Sequence, residues 1–464
     1  MGKPKVLVIG LDCASPILVF DEFKEYLPNL SKMIAQGIHG KLRSCMPPIT
    51  VPAWMVMFSG KNPGKLGLYG FRHRKGTSYT DIWIANPKSV QEPMIWDIIG
   101  KSNRNSCLYA IPPGYPPAQI NGISVSCFLT PSSKSNYTYP PEIQQEFEEI
   151  IGPYIPDIDY RSGDRDIIQK ELFQLLENHM FMIKYLIKSK PWDFFAFVEI
   201  GIDRVHHAFW RYLDNTHHMY EDNSKYKHVI QEFYKAIDNH IGEILDIIDK
   251  DTYILVVSDH GVKSIHGALC INEWLIKEKY MVLNDYPDNP ITLKKANVNW
   301  AKTKAWAWGG YYSRVFLNVK GREKHGNVDP KDYEEELEKL HKKLLNLRDI
   351  NGKKMNNIVF RPEDYYDNPK GDYPDLMVIF DDLNWRAAGT IGHKRVYLRE
   401  NDIGPDDAMH DWDGLYILYD PKQELVPSYF DAKIEDIAPT ILTLMGEKLP
   451  EDLDGEVINY VKQT

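Results

Sequence analysis

The 464-residue sequence is short of several things, and each shortage narrows what it can be. Cysteine is scarce: five residues at scattered positions (Cys13, Cys45, Cys107, Cys127, Cys270) form neither a disulfide framework nor a zinc-finger spacing, and read as reduced core thiols. Long apolar runs are missing. The opening "MGKPKVLVIGLDCASP" meets Asp12 after a brief apolar run, so it reads as neither a signal peptide nor a membrane span. Val6 stands where a myristoylation signal beginning at Gly2 would need Ser or Thr. A cytoplasmic protein with no membrane insertion is expected. Net positive charge is lacking too: the formal charge of −10 disfavours nucleic-acid duplexes and anionic membranes as partners. An anionic substrate would then need a local positive centre such as a bound metal.

What is present is an ordinary globular composition, 43% hydrophobic and 26% charged, in a chain too long for one simple core. "KVLVIGLD", "WDFFAFVEIGID" and "DTYILVVSDH" are near-continuous apolar runs, the pattern of strands buried on both faces of a parallel sheet, and each reaches an Asp where it stops. Helical patterns lie between them, as in "LPNLSKMIAQG" and "YKHVIQEFYKAIDNHIGEILDIID". This alternation predicts an α/β fold with a central, mostly parallel sheet and helices on both faces. Residues 1–284 and 401–464 would form that core. Residues 101–160, rich in Pro, Ser, Asn and Tyr, read as a surface excursion, and residues 285–400 as an inserted α+β subdomain.

Ligands of open α/β sheets bind at the carboxyl ends of the strands, so Asp12, Asp203 and Asp259 should converge on one crevice. A single Asp at such a place is more often a turn former or a cap; three, two of them near histidines, favour a metal site. In "GIDRVHHAFW" Asp203 and His207 stand four apart and would share a helix face, and His206 at three apart would serve almost as well. His260 follows Asp259 directly, and His410 precedes another strand in "MHDWDGLYILYD". Thr50 in "MPPITVPAWMVMFSGKNPG" reads first as a helix N-cap with Pro52 in the first turn. A hydroxyl at a helix start beside a divalent ion is also where a nucleophilic alkoxide is best stabilised.

The motifs "GLDCASP", "LPNLSKMIAQGIHGKLRSCMPPITVPAWMVMFSGKNPGKLGLYGF", "VVSDHG", "INEWLIKEKY", "HDWDG" and "DIAPTILTLMG", with the Asp203 to His207 spacing, resemble the alkaline phosphatase superfamily. The nearest resemblance is to its type I phosphodiesterase/nucleotide pyrophosphatase-like branch of phosphohydrolases and phosphomutases. The resemblance implies two divalent metals, most simply zinc with manganese as the alternative. One would be held by Asp12, Thr50, Asp259 and His260, the other by Asp203, His207 and His410; it also selects His207 over His206. Three carboxylates and a threonine alkoxide would balance two divalent ions, leaving a site that an incoming phosphate can approach.

The implied activity is hydrolysis of a phosphodiester or pyrophosphate bond in a small phosphorylated substrate through a covalent Thr50 intermediate. A phosphomutase or phosphomonoesterase is the alternative, and a non-catalytic metal-binding protein a weaker one. A formylglycine sulfatase is disfavoured, because that pattern needs Cys or Ser with Arg four residues on, and here Thr50 is followed by Trp54. In "GFRHRKG", Arg72 or Arg74 is expected to touch phosphate, with a solvated basic turn as the equal alternative. The aromatic stretch 305–314 reads as core packing or as a stacking platform above the metals.

Overall fold

The computed structural model describes residues 4–460. Gly2, the residue of the acylation reading, lies outside the described residues.

The apolar runs form the strands the pattern predicts. Lys5–Leu11, Phe194–Glu199 and Thr252–Val257 run parallel at the centre of a ten-stranded sheet, with Lys5–Leu11 between the other two. Ser106–Tyr109 and Gly122–Val125 extend the parallel set beyond Phe194–Glu199. Asp413–Tyr419 runs antiparallel between Thr252–Val257 and Ile38–Arg43, so the sheet is mixed, with five parallel strands at its heart.

Alternate side chains of these strands feed two cores. Leu7, Ile9 and Leu11 pack with the helices Pro28–Gln36, Arg165–Ser189, Gly201–Leu213 and Val229–Ile247. Val6 and Val8 pack on the other face with Thr50–Ser59, Ile95–Lys101 and Ile437–Leu444. A strand covered on both faces has no position left for polar residues, which is why its sequence is continuously apolar and why its first charged residue marks its end.

Residues 101–160 correct the expectation of a surface excursion: they contribute three strands to the main sheet, Ser106–Tyr109, Gly122–Val125 and Thr138–Tyr139. Each is four residues or fewer, separated by proline-rich connections, so no periodic signal builds up. A third core begins at Leu269 and is built on the antiparallel strands Ala305–Trp308, Ser313–Leu317, Leu376–Ile379 and Ile358–Phe360 with the helix Tyr333–Leu345. Trp306 is wholly buried there, the core role for that part of the aromatic stretch. No described helix is long and apolar enough to cross a membrane.

Candidate metal centre and active site

Asp12 follows directly on the strand Lys5–Leu11, and Asp259 and His260 follow Thr252–Val257 one residue later, at the carboxyl ends of neighbouring parallel strands. The backbone turns at Cys13 with φ of 65°, and the Cys13 N–H donates to Asp259 Oδ1 at 3.1 Å, tying the two strand ends together. After His260 the chain reverses into Gly261–Ser264, which pairs antiparallel with Ala408–Asp411 so that Val262 faces His410. That ribbon brings His410 to His260: their rings stack at 3.7 Å with planes 15° apart. Asp203 lies in the first turn of Gly201–Leu213, and four residues on His207 Nε2 stands 3.2 Å from Asp203 Oδ1. His206 instead packs against Trp210 and Tyr234.

Thr50 opens the helix Thr50–Ser59 as its first residue, and the N-cap position belongs to Ile49. It lies 3.4 Å from His260 Nε2. The N-cap reading is therefore set aside, and the hydroxyl faces the acidic cluster. Trp54, one turn on, donates its indole N–H to Asp12 Oδ2 at 2.7 Å. Gly10 lets it come that close, since a Cβ there would stand 2.7 Å from the Trp54 ring.

Each histidine has one nitrogen committed and the other turned inward. Nδ1 of His260 meets the Gly261 carbonyl at 3.1 Å, that of His410 the Pro48 carbonyl at 2.9 Å, and that of His207 the Asp406 carboxylate at 2.6 Å. With Nδ1 donating, the Nε2 of His260 and of His410 presents a lone pair to the carboxylates, the arrangement by which a second hydrogen bond orients a metal-binding imidazole, whereas Asp406 and Asp203 hold His207 well above the usual imidazole range despite its burial. His260 Nε2 lies 3.2 Å from Asp259 Oδ2 and 3.8 Å from Asp12 Oδ1, while His410 Nε2 lies 3.8 Å from Asp203 Oδ1.

The carboxylates are buried, and Asp12 Oδ1, Asp203 Oδ1 and Asp259 Oδ2 have no hydrogen-bond donor. Anionic oxygens facing nitrogen lone pairs in a closed space are costly unless a cation stands among them, so the donor set fits metal ions. Two groups have the spacing to hold one: Asp12 with Asp259 and His260, and Asp203 with His260 and His410.

The electrostatics record the same crowding. Burial, then repulsion from Asp203, pushes the Asp12 carboxyl well up; burial, then Asp12, does the same to Asp259. Asp203 is held well below the usual range despite its burial, through His207 and Arg204, whose Nη1 lies 2.6 Å from Asp203 Oδ2. Burial lowers His260 to about 4 and, joined by His260 itself, pushes His410 down further.

The arginines expected near phosphate lie elsewhere. Arg72 is exposed. Arg74 is buried, pairs with Glu323 at 2.9 Å, and donates to the carbonyls of Ser78 and Thr77 at 2.8 and 2.7 Å. Neither guanidinium has a contact with the cluster among the described residues, because the unit around the third core supplies a carboxylate, Glu323, that neutralises Arg74. Three residues at the cluster carry no signal in the sequence, Asp406, Arg161 and Arg386; a fourth, Tyr311, belongs to the aromatic stretch 305–314. Tyr311 stacks on His410 at 4.1 Å, and its hydroxyl lies 3.2 Å from His207 Nε2. A cavity of about 660 Å³ lined by Met55, Trp96, Leu108 and Pro113 includes none of the cluster's side chains, so chemistry and not volume marks the site.

Acidic and imidazole groups gathered at the strand ends of a mixed sheet are a donor set that suits a metal-dependent hydrolase. The description "Type I phosphodiesterase / nucleotide pyrophosphatase" matches residues 6–413, and the chain belongs to that family, whose members act on phosphoric ester bonds. Among solved structures it is similar to murine ectonucleotide pyrophosphatase/phosphodiesterase 5, with 12% identity, TM-score 0.55, and 97% of each chain covered. An inactive threonine-to-alanine variant of that murine protein, in complex with AMP, gives 11% identity and TM-score 0.55 over 97% of this chain and 98% of that one. The human protein of the same name gives 11% identity and TM-score 0.55, covering 97% and 96%. No curated protein matches this chain in sequence.

Proposed function

We propose that the protein hydrolyses a phosphodiester or pyrophosphate bond in a small phosphorylated substrate, with Thr50 as the nucleophile. The observation that carries this reading is the placement of the buried Thr50 hydroxyl 3.4 Å from His260 Nε2 beside three unsatisfied carboxylate oxygens. Asp12, Thr50, Asp259 and His260 would hold one divalent ion, and Asp203, His207 and His410 another. Mixed oxygen and imidazole donors suit zinc or manganese. Bound there, such ions would lower the pKa of a hydroxyl and neutralise phosphoryl charge.

The chain's own residues do the rest. The helix Thr50–Ser59 aims the threonine oxygen at phosphorus for in-line attack; the Thr50–phosphorus bond forms as the leaving oxygen departs, and water then opens the phosphoryl- or nucleotidyl-threonine. The Trp54 indole keeps Asp12 in register, and the committed Nδ1 atoms keep the three imidazoles from turning. Burial of all these groups excludes bulk water, so acceleration comes from positioning and fixed charge.

The neighbour's AMP complex supports a nucleotide as one substrate to try, and its inactive threonine-to-alanine form supports a threonine nucleophile. The five cysteines are all free and buried, which supports a cytoplasmic setting. The test is turnover of bis-p-nitrophenyl phosphate by zinc- or manganese-loaded protein and by Thr50→Ala. Loss of at least about 10³-fold is expected, as for removal of other covalent nucleophiles; activity that survives the substitution removes Thr50 from the role.

A further inference from the structure

Two guanidinium groups beside the cluster are held by a single carboxylate. Asp406 Oδ1 is engaged by His207 Nδ1, and Asp406 Oδ2 takes both Arg161 Nη2 at 2.7 Å and Arg386 Nη1 at 3.4 Å. One negative charge therefore faces two positive ones. The Nε atoms of Arg161 and Arg386 are also buried without a hydrogen-bond partner. An unpaired buried guanidinium N–H is costly, and two of them with a surplus positive charge ask for an anion.

Tyr311 places these arginines relative to the cluster. The Arg386 guanidinium lies 4.7 Å from the centre of the Tyr311 ring, and that ring lies on His410, which lies on His260. The Tyr311 hydroxyl is 3.2 Å from Arg161 Nη2 and 3.2 Å from His207 Nε2. A phosphoryl group resting among Asp203, His207 and His410 would thus have a phenol and two guanidinium groups at its side. All three come from outside the parallel sheet. Arg386 is on the strand Trp385–Ala388, Tyr311 precedes Ser313–Leu317, and Arg161 precedes the helix Arg165–Ser189.

We propose that Arg161, Tyr311 and Arg386 form a subsite for a second negative charge of the substrate next to the scissile phosphorus. The inference rests on the reading that this cluster is the phosphoesterase site. The second charge would come either from the reacting phosphoryl itself, as a monoester dianion, or from the neighbouring phosphate of a pyrophosphate. A diester with two uncharged arms would leave the arginine donors unpaired.

The experiment compares wild type with Arg386→Gln, both metal-loaded, on bis-p-nitrophenyl phosphate, p-nitrophenyl phosphate and UDP-glucose, with calorimetric binding of inorganic phosphate and pyrophosphate. The substitution is expected to lower kcat/KM on one of the two doubly charged substrates, relative to the singly charged diester, by about tenfold or more, the worth of a charge-assisted hydrogen bond. Binding of the matching anion should weaken alike. A fall confined to p-nitrophenyl phosphate assigns the charge to the reacting phosphoryl, and a fall confined to UDP-glucose assigns it to the neighbouring phosphate. Ratios and affinities that stay within about twofold overturn the subsite. Should none of the three substrates turn over, the phosphoesterase reading fails while calorimetry still decides the subsite. If Arg386→Gln does not fold, Arg161→Gln takes its place, since that side chain is 20% exposed and better tolerates replacement.

Discussion

The imidazole of His260 lies flat on that of His410, 3.7 Å away, although the two come from segments far apart in the chain. Stacked at that distance the rings cannot both carry charge, and burial keeps each from protonating. Their Nε2 lone pairs are left as donors, that of His260 near Asp12 and Asp259 and that of His410 near Asp203, and an imidazole whose Nδ1 is committed has one lone pair for one ion. Metal counting should show it. Wild type is expected to retain about two divalent ions per chain after desalting, and His260→Ala and His410→Ala about one each, as expected when each histidine serves its own ion. Retention of both ions by either variant would remove that histidine from the ligand set.

Asp406 acts on His207 from behind. Its carboxylate sits 2.6 Å from His207 Nδ1 and is held well below the usual carboxylate range despite burial, through His207, Arg161 and Arg386. Replacing Asp406 by Asn keeps the shape and removes the charge that polarises the ring. Metal affinity should fall 10- to 100-fold, about the usual cost of losing such a partner, as read by competition with a chelating dye. An affinity unchanged by the substitution would make Asp406 merely an anchor for the arginines.

Much of this site is legible in the amino-acid order alone, and the division follows physical lines. Asp12, Asp203 and Asp259 stand out because strands buried on both faces exclude polar residues until they end. The Asp203–His207 pair is visible because helical periodicity is local. Asp406 and Arg386 reach the cluster through pairings between segments remote in sequence, such as Gly261–Ser264 with Ala408–Asp411, and nothing near them in the chain announces that; Tyr311 sits in the aromatic stretch 305–314, whose packing and platform readings look alike in sequence. Arg74 resembles a phosphate ligand in sequence because its neutralising partner, Glu323, comes from the remote unit around the third core. The helix start at Thr50 carries two readings, and only the position of the hydroxyl separates them.

Removing metal should cost stability as well as activity. With no cation among them, Asp12 and Asp259 are buried carboxyls pushed up by burial and by their neighbours. A ligand present at one hundred times its dissociation constant stabilises the native state by about 2.7 kcal/mol per site. A chelator should therefore lower the melting temperature by several degrees, and zinc or manganese should restore it. A melting curve indifferent to both treatments would argue that the carboxylates close on themselves without an ion.

His73, between the two arginines of the basic turn, has a structural role that predicts a pH dependence. Its ring stacks on Trp83 at 4.2 Å, and its Nε2 accepts the Tyr69 backbone N–H at 2.9 Å, a bond only the unprotonated nitrogen can make. Burial, aided by Arg314, lowers its pKa from 6.5 to about 3. As pH falls below 6.5 the unfolded chain takes up this proton while the native state does not, so the contribution of His73 is intact above that value. It is lost progressively down to about 3, by about 1.4 kcal/mol for each pH unit. His73→Gln, which keeps an acceptor for Tyr69 but does not titrate, removes that slope. The difference in unfolding free energy between wild type and His73→Gln should therefore shift against wild type as pH is lowered from 6 to 4, read from urea denaturation at each pH. A difference that stays level across this range would mean that the ring is already protonated in the folded protein and that Tyr69 donates elsewhere.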